Sequence, residues 1–365
     1  MTFSRFDHVC MARAFRLARK GMYTTDPNPR VGCVIADSEN MISSGYHRAA
    51  GGPHAEITAL EQAGSAARGS TAYVTLEPCS HQGRTAPCTE ALLAAGISRV
   101  VIAGSDPNPE VNGKGLSRLA DAGVKVEHGL MLQEAESLNP GFLMRMRAGR
   151  PWVRIKTAIS MDGKTALQSG ESKWISSDAA RLDVQRWRAR SSAILTGIGT
   201  VLADNPSMNA RIDEDVLQPI RVIADSRWRT PPDSRILRGE ADVVVAGSRD
   251  VPVPSELETT GAKCLSLPAK DGCIELPALL TALSDREINE VQVEAGSGLA
   301  GALLKAQLVD EILIYQAPVL LGSGGAGPFE FGPLESMAER THLKVLETSH
   351  MGSDLRIRLQ PETRH

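Results

Sequence analysis

Apolar positions along this chain switch between two spacings, a period near two that predicts strands and one near ~3.6 that predicts helices. An amphipathic run from about Phe6 to Lys20 predicts an opening helix, and the turn-rich TTDPNPR leads from it into the apolar strand VGCVIA. A helix begins near His54 (HAEITALEQAG), followed by the strand TAYVTLE, the helix TEALLAAG and the β–α–β series RVVIAG, GLSRLADAG and VKVEHGL. The helical stretch LQEAESLNPGFLMRMRAGR then stops at Gly149-Arg150-Pro151, where a second pattern starts with the strand WVRIKTAISMDG. Its parts are the helix DAARLDVQRWRARS, the strands AILTGIGTV, IRVIADS and ADVVVAG, a helix near ELPALLTAL, and VQVEAGSGLAGALLKAQLVDEILIYQAPVLLG. HLKVLETSHMGSDLRIRLQPE predicts a closing hairpin that turns at Gly352-Ser353-Asp354. Strands alternating with helices through short turns define an α/β layer fold with a mostly parallel sheet, in two domains, 1–149 and 150–365.

Composition narrows the classes. With 42% hydrophobic and 23% charged residues, the 365-residue chain can bury cores in both halves. No apolar run reaches the roughly 18–20 residues of a membrane span. MTFSRFDHVCMARAFRLARKG has no apolar core of a signal peptide, and six cysteines are too sparse for a disulfide scaffold, so a reduced, cytoplasmic protein is expected. A net charge of −3 and 4% aromatic residues argue against nucleic acid as partner. A small molecule carrying one or two phosphates fits better.

The first half concentrates zinc chemistry. His54, Cys79 and Cys88 offer a nitrogen and two thiolates, leaving a fourth tetrahedral position for water. His54 and Cys88 fall at predicted helix starts, where the helix dipole favours a thiolate. Glu56, two residues beyond His54, can shuttle protons between water, a ring nitrogen and a leaving amine, as in zinc nucleobase deaminases. Cys10, Cys33, Cys264 and Cys273 read as small buried hydrophobes. Eight residues, SHQGRTAP, separate the two ligand cysteines where the general pattern has two, and they put His81, Gln82 and Arg84 beside the metal. Asn28 in DPNPR suits a pyrimidine edge, or simply a turn. On these residues alone, a closed structural zinc with His81 as fourth ligand in a nucleotide-binding regulatory module stays open. So does a nucleic-acid base deaminase with an accessory nucleotide-binding domain.

TTDPNPRVGCVIAD, GYHRAAGGPHAE, AYVTLEPCSHQGRTAPC and SDPNPEVNGKGL together resemble the deaminase half of the bifunctional riboflavin-biosynthesis deaminase/reductase, a family in which the long insertion is typical. The resemblance implies a cytidine-deaminase-like three-layer domain with one zinc per chain at His54, Cys79 and Cys88, and Glu56 as proton donor.

The second half contains Gly296-x-Gly298-x-x-Gly301 after a strand and at a helix start, which allows a pyrophosphate to approach. The acid that a Rossmann unit needs at the end of the next strand is missing, since EILIYQAPVLLG offers Gln316, so a phosphate-binding turn is expected without that fold. Lys156 and Asp162 flank a strand end, Ser172 and Trp174 follow, and Arg188 lies in an arginine-rich helix. GIGTVLADNPSMNAR reads as a strand passing into a turn with Thr200, Asp204, Asn205, Met208 and Arg211. Ser226 followed by arginines suits a cofactor 2′-phosphate, favouring NADPH.

KTAISMDGKTA, SGESKWISS, ILTGIGTVLADNP and VEAGSGLAGALL are similar to the reductase half of the same family, which implies a dihydrofolate-reductase-like domain binding NADPH. Carried over by motif, the cofactor contacts are Ala158, Trp174, Thr200, Asp204, Ser226 and the turn Gly296, Ser297, Gly298, Leu299, Ala300 and Gly301. The substrate contacts are Ser172, Arg188, Met208, Arg211 and Glu294. Between 213 and 282 nothing except Ser226 is carried over. The implied reactions are deamination of 2,5-diamino-6-(5-phosphoribosylamino)pyrimidin-4-one, then NADPH-dependent reduction of the ribosyl group to ribityl. Lys156 and Asp204 are candidate proton donors for the reduction, and the family suggests a homo-oligomer.

Overall fold

The computed structural model describes residues 3–80, 87–109 and 111–362, and the chain divides into two compact units, Met1–Gly149 and Arg150–His365. The first unit runs α1 (Arg5–Ala18), β1 (Gly32–Ala36), β2 (Met41–Tyr46), α2 (Ala55–Ala63), β3 (Thr71–Leu76), α3 (Cys88–Ala94), β4 (Arg99–Gly104), α4 (Lys114–Asp121), β5 (Lys125–His128), α5 (Leu132–Leu138) and α6 (Pro140–Ala148). Ser4 and Asp7 form a reciprocal capping box that starts α1. The sheet order is β2-β1-β3-β4-β5, with β1 antiparallel to both neighbours and β3, β4 and β5 parallel. Alternation along β1 sends Val34 and Ala36 into a core with Met11, Phe15 and Leu138, and Cys33 and Ile35 into another with Ala59, Leu92 and Leu119. Helices therefore cover both faces, giving three layers.

The helical stretch before the boundary breaks in two at Asn139-Pro140, because proline has no N–H to continue the ladder. The Asn139 amide turns instead to the Arg30 backbone, accepting from its N–H at 2.8 Å and donating to its carbonyl at 2.9 Å.

The second unit contains β6 (Trp152–Ile159), α7 (Asp178–Arg190), β7 (Ala193–Gly197), α8 (Ile198–Asp204), β8 (Ile220–Ala224), β9 (Val243–Ser248), α9 (Ser255–Glu258), β10 (Lys263–Leu267), β11 (Ala269–Lys270), β12 (Cys273–Ile274), α10 (Leu276–Ser284), β13 (Glu290–Val293), α11 (Ser297–Lys305), β14 (Glu311–Gln316), β15 (Leu343–Met351) and β16 (Asp354–Pro361). Its nine strands lie in the order β10-β9-β8-β7-β13-β6-β14-β16-β15. The first seven are parallel and the C-terminal hairpin is antiparallel, as its turn residues predicted. One face packs Val153, Leu195, Val222 and Val293 against Leu279, Leu283 and Leu303 of α10 and α11.

Two expectations change here. Residues 198–204 are a helix, so Thr200 and Asp204 sit on α8 and not in a turn; the helix ends at Asn205 in the left-handed region. Cys273 is exposed, because on β12 it is the neighbouring Ile274 that faces the core. Cys10 and Cys33 are fully buried as expected. Among the described residues, no helix is long and apolar enough to cross a membrane.

Candidate active sites

Two helix N-termini and one strand end converge in the first unit. His54 is the N-cap of α2, Cys88 opens α3, and Cys79 lies on the loop that leaves the central strand β3. His54 Nδ1 is 3.1 Å from Cys88 Sγ and 3.6 Å from Cys79 Sγ, and the three donor atoms lie within 4.8 Å of one another. A tetrahedral zinc with these donors needs separations of about 3.5–3.8 Å, so the set fits the ion with small adjustment. The Cys88 N–H donates to Cys79 Sγ at 3.4 Å. Hydrogen bonding from Cys88 and His54 outweighs burial and holds the Cys79 thiol well below its usual range.

Glu56, in the first turn of α2, is 3% exposed. Burial raises its pKa, against the pull of His54, which suits a group that must both accept and return a proton near neutrality. His47 and Asn28 complete the wall, with the His47 ring edge-to-face on His54 at 5.4 Å between centroids. Sequence reasoning missed His47; its only signal was a histidine seven residues before the ligand in GYHRAAGGPH. His81, Gln82 and Arg84 lie outside the described residues. Glu77, just before Cys79, accepts the backbone N–H groups of Asp106 and Gly113 at 3.3 and 3.1 Å, which ties the loop SDPNPEVNGKG to the site.

In the second unit the candidates gather at the C-terminal ends of the parallel strands, where α/β sheets bind ligands. Arg188 on α7 forks onto Glu294, just past β13, with Nε–Oε1 at 2.7 Å and Nη2–Oε2 at 2.8 Å. The same guanidinium donates to the Asn209 carbonyl at 3.1 Å and touches Met208 Sδ at 3.8 Å. Burial would raise the Glu294 carboxyl, but Arg188, Lys156 and a Gln292 amide hydrogen bond hold it down at about 2. Lys156 is pushed down by burial and by Arg188, and pulled up by Glu294. Arg211 is lowered by burial and by two neighbouring guanidiniums, Arg188 and Arg235. Arg188, Arg211 and Arg235 thus lie near one another, a grouping of guanidiniums that suits an anion. Arg235 comes from the stretch where the sequence offered only Ser226.

The structure thus brings Arg188, Met208, Arg211 and Glu294 together. Ser226 follows β8, two strands from β13 and so roughly 10 Å across the sheet; its Oγ accepts the Ile274 N–H at 3.0 Å. Asp204 pairs with Lys173 at 2.9 Å, and the 71% exposed Trp174 has the Arg181 guanidinium 4.6 Å from its ring centroid. Ala158 is in β6, and Ser172 precedes α7 in the same segment as Trp174. The Gly296–Gly301 turn opens α11. A Cβ on Gly296 or Gly298 would meet open space, leaving room for a ligand against the backbone, whereas one on Gly301 would lie 2.0 Å from the Glu330 carbonyl oxygen. Gly301→Ala is therefore expected to cost about 1–3 kcal/mol, measured by denaturant unfolding.

Fold and site together define a metal-dependent deaminase of the cytidine-deaminase type, joined to a parallel α/β unit with an anion-suited pocket. A family model described as the cytidine and deoxycytidylate deaminase zinc-binding region matches residues 4–104, and the RibD C-terminal domain matches residues 151–357. The riboflavin biosynthesis protein RibD of Escherichia coli (strain K12) is 47% identical over 365 residues, covering 97% of this chain and 99% of that protein. That of Haemophilus influenzae is 44% identical over 376 residues, with 99% of each covered. The solved structure of Acinetobacter baumannii RibD, form 1, superposes with a TM-score of 0.92 at 46% identity, covering 98% of this chain and 99% of that one. A deaminase/reductase of the same kind from Thermotoga maritima superposes with a TM-score of 0.86 at 33% identity, covering 97% and 98%. The chain belongs to the RibD family, the bifunctional deaminase/reductases of riboflavin biosynthesis.

Proposed function

We propose that Met1–Gly149 deaminates 2,5-diamino-6-(5-phosphoribosylamino)pyrimidin-4-one and that Arg150–His365 reduces the ribosyl group of the resulting uracil to ribityl with NADPH. The observation that carries the first half is the buried Glu56 carboxyl beside three donor atoms that fit zinc. His54, Cys79 and Cys88 hold the ion, which when bound supplies a Lewis acid that acidifies water. Glu56 accepts a proton from water and returns it to a ring nitrogen, then takes the second proton from the hydroxyl added to the ring carbon and passes it to the departing amine as the carbon–nitrogen bond breaks.

In the second half, the Gly296–Gly301 turn and Ser226 hold NADPH, with Ala158, Trp174, Thr200 and Asp204 along its length; bound NADPH supplies the hydride. Arg188, Arg211 and Ser172 bind the phosphorylated substrate, with Met208 and Glu294 shaping the pocket. Lys156 is the proton donor in this reading: it is half-buried and lies near Glu294, whereas Asp204 is exposed and paired with Lys173. The protein's main contribution to the reduction is positioning. A homo-oligomer is part of the same reading, to be checked by sedimentation equilibrium.

NADPH oxidation by purified protein tests both halves. The diamino substrate should support oxidation only with zinc present, and the deaminated compound should support it after zinc is stripped. No oxidation with either compound, from folded protein that binds zinc, would remove the reductase assignment.

A further inference from the structure

Alternation along β13 divides its side chains between two environments. Val291 and Val293 enter the aliphatic core with α10 and α11, which leaves Glu290, Gln292 and Glu294 on the opposite face, where α7 supplies Arg188 and Arg190. Gln292 is completely buried there, and its Nε2 donates to Glu294 Oε1 at 2.8 Å. A carboxylate forked onto a guanidinium can only accept, so the amide must turn its nitrogen to Glu294. Its other end, the buried Oε1, has no hydrogen-bond partner among the described residues. An unbonded buried acceptor lowers stability, so an apolar side chain of the same length would serve the fold as well or better. The donor count on Glu294 shows what the amide does instead. Oε1 accepts from Gln292 and from Arg188 Nε at 2.7 Å, whereas Oε2 accepts, among the described residues, from Arg188 Nη2 alone at 2.8 Å. With two lone-pair sites on each oxygen, Oε1 is filled and Oε2 has one site open. The Glu294 main chain is held as well, its N–H donating to the Leu195 carbonyl at 2.9 Å and its carbonyl accepting from Thr196 Oγ1 at 2.8 Å.

We propose that Gln292 is a positioning residue of the reductase site: it fills Glu294 Oε1 from the strand, so that Oε2 is the oxygen offered to a donor group of the substrate. The inference rests on the reductase reading above, in which Glu294 lines the substrate pocket, and adds the residue that orients it. The Arg188 fork sets the carboxylate in the plane of the guanidinium, but both groups end long side chains that can swing together. Gln292 ties the pair to the sheet. Its own amide is held in one orientation, because reversing it would set oxygen against oxygen. Arg154, matched in register with Gln292 on β6 and completely buried, adds a guanidinium on the neighbouring strand with one nitrogen, Nη1, also unpartnered among the described residues. Because Gln292 orients a group that meets the substrate, its loss should appear in substrate binding and leave the cofactor and the fold alone.

The test uses full-length protein and NADPH oxidation with the deaminated substrate. Gln292→Met keeps the length of the side chain and removes both ends of the amide. It should raise KM for that substrate roughly tenfold, with kcat and the KM for NADPH within about twofold of the parent. The denaturant midpoint should equal or exceed that of the parent, since the variant also removes the unbonded acceptor. The double variant Gln292→Met/Glu294→Gln should have a KM no higher than Glu294→Gln alone, because Gln292 acts through Glu294. A second measurement needs no Glu294 variant: in titration calorimetry, Gln292→Met should bind the deaminated substrate roughly tenfold more weakly than the parent and NADPH equally well. A purely structural role predicts the reverse, a lower midpoint or failure to fold, with KM unchanged in what folds. That outcome, additive effects in the double variant, or a loss shared by substrate and NADPH would overturn the proposal. Parent enzyme that oxidises no NADPH with the deaminated compound would instead overturn the reductase reading itself.

Discussion

Glu56→Gln should lower deamination by about three orders of magnitude while NADPH oxidation with the deaminated substrate proceeds at the parent rate. The substitution keeps the shape of a side chain that is 3% exposed and removes only its capacity to carry a proton. Zinc should remain bound, since the donor atoms come from His54, Cys79 and Cys88. The check is ammonia release beside NADPH oxidation on one preparation. Loss of both activities in folded, zinc-loaded protein would refute the division of labour between the two units.

The largest effect in the second unit is expected from Arg188→Met. It leaves the largely buried Glu294 carboxylate without its forked partner, and breaking such a pair from one side costs about 3–5 kcal/mol. Denaturant unfolding of that unit should show this loss, and reduction should fall more than about a hundredfold through misplacement of the pocket. Arg188→Lys should restore little, because an ammonium cannot make both contacts of the fork. The pH dependence has a definite sign. Glu294 titrates in the folded parent at about 2, below its unfolded value, so the stability that the pair provides is complete above about pH 5. It is lost as the pH falls towards 2, and the gap between parent and variant should close over that range.

Much of this was legible before any coordinates. The three-layer first unit follows from alternation such as Cys33/Ile35 against Val34/Ala36, and the metal set follows from residue types that have few other reasons to occur together. What escaped has physical causes. β2, MISSGY, is an edge strand of small polar residues with no apolar alternation; its Gly45 is required because a Cβ would lie 2.5 Å from the Ala55 carbonyl oxygen of α2. α8 was hidden because GIGTV has strand-like composition, and tertiary context overrode it. Alternation also misleads in β6, where Arg154 and Lys156 fall on the face that a half-exposed strand turns to water. Here that face lies under α7, and Arg154 is completely buried between Glu290 at 3.0 Å and Glu311 at 2.8 Å, with its guanidinium 4.5 Å from the Trp187 ring centroid. His47, Gln292 and Arg235 acquire their roles from contacts with distant residues, which no local pattern encodes.

The strand order of the second unit also sets a clock on its biosynthesis. β6 sits between β13 and β14, and β14 is completed on its other edge by β16, so a strand beginning at Trp152 belongs to a ladder that closes only at Pro361. At ~5–20 residues per second, a ribosome needs roughly 10–40 s to deliver the missing neighbours. Through that interval the nascent reductase half carries open strand edges, and Glu311, once made, waits for its second guanidinium, Arg358 of β16, which reaches it at 2.7 Å. The first unit, whose last strand ends at His128, can finish folding while this wait is under way. Synonymous recoding between 160 and 361, which changes the length of the wait, is expected to change the soluble yield of this chain, as comparison of recoded genes at equal expression would show.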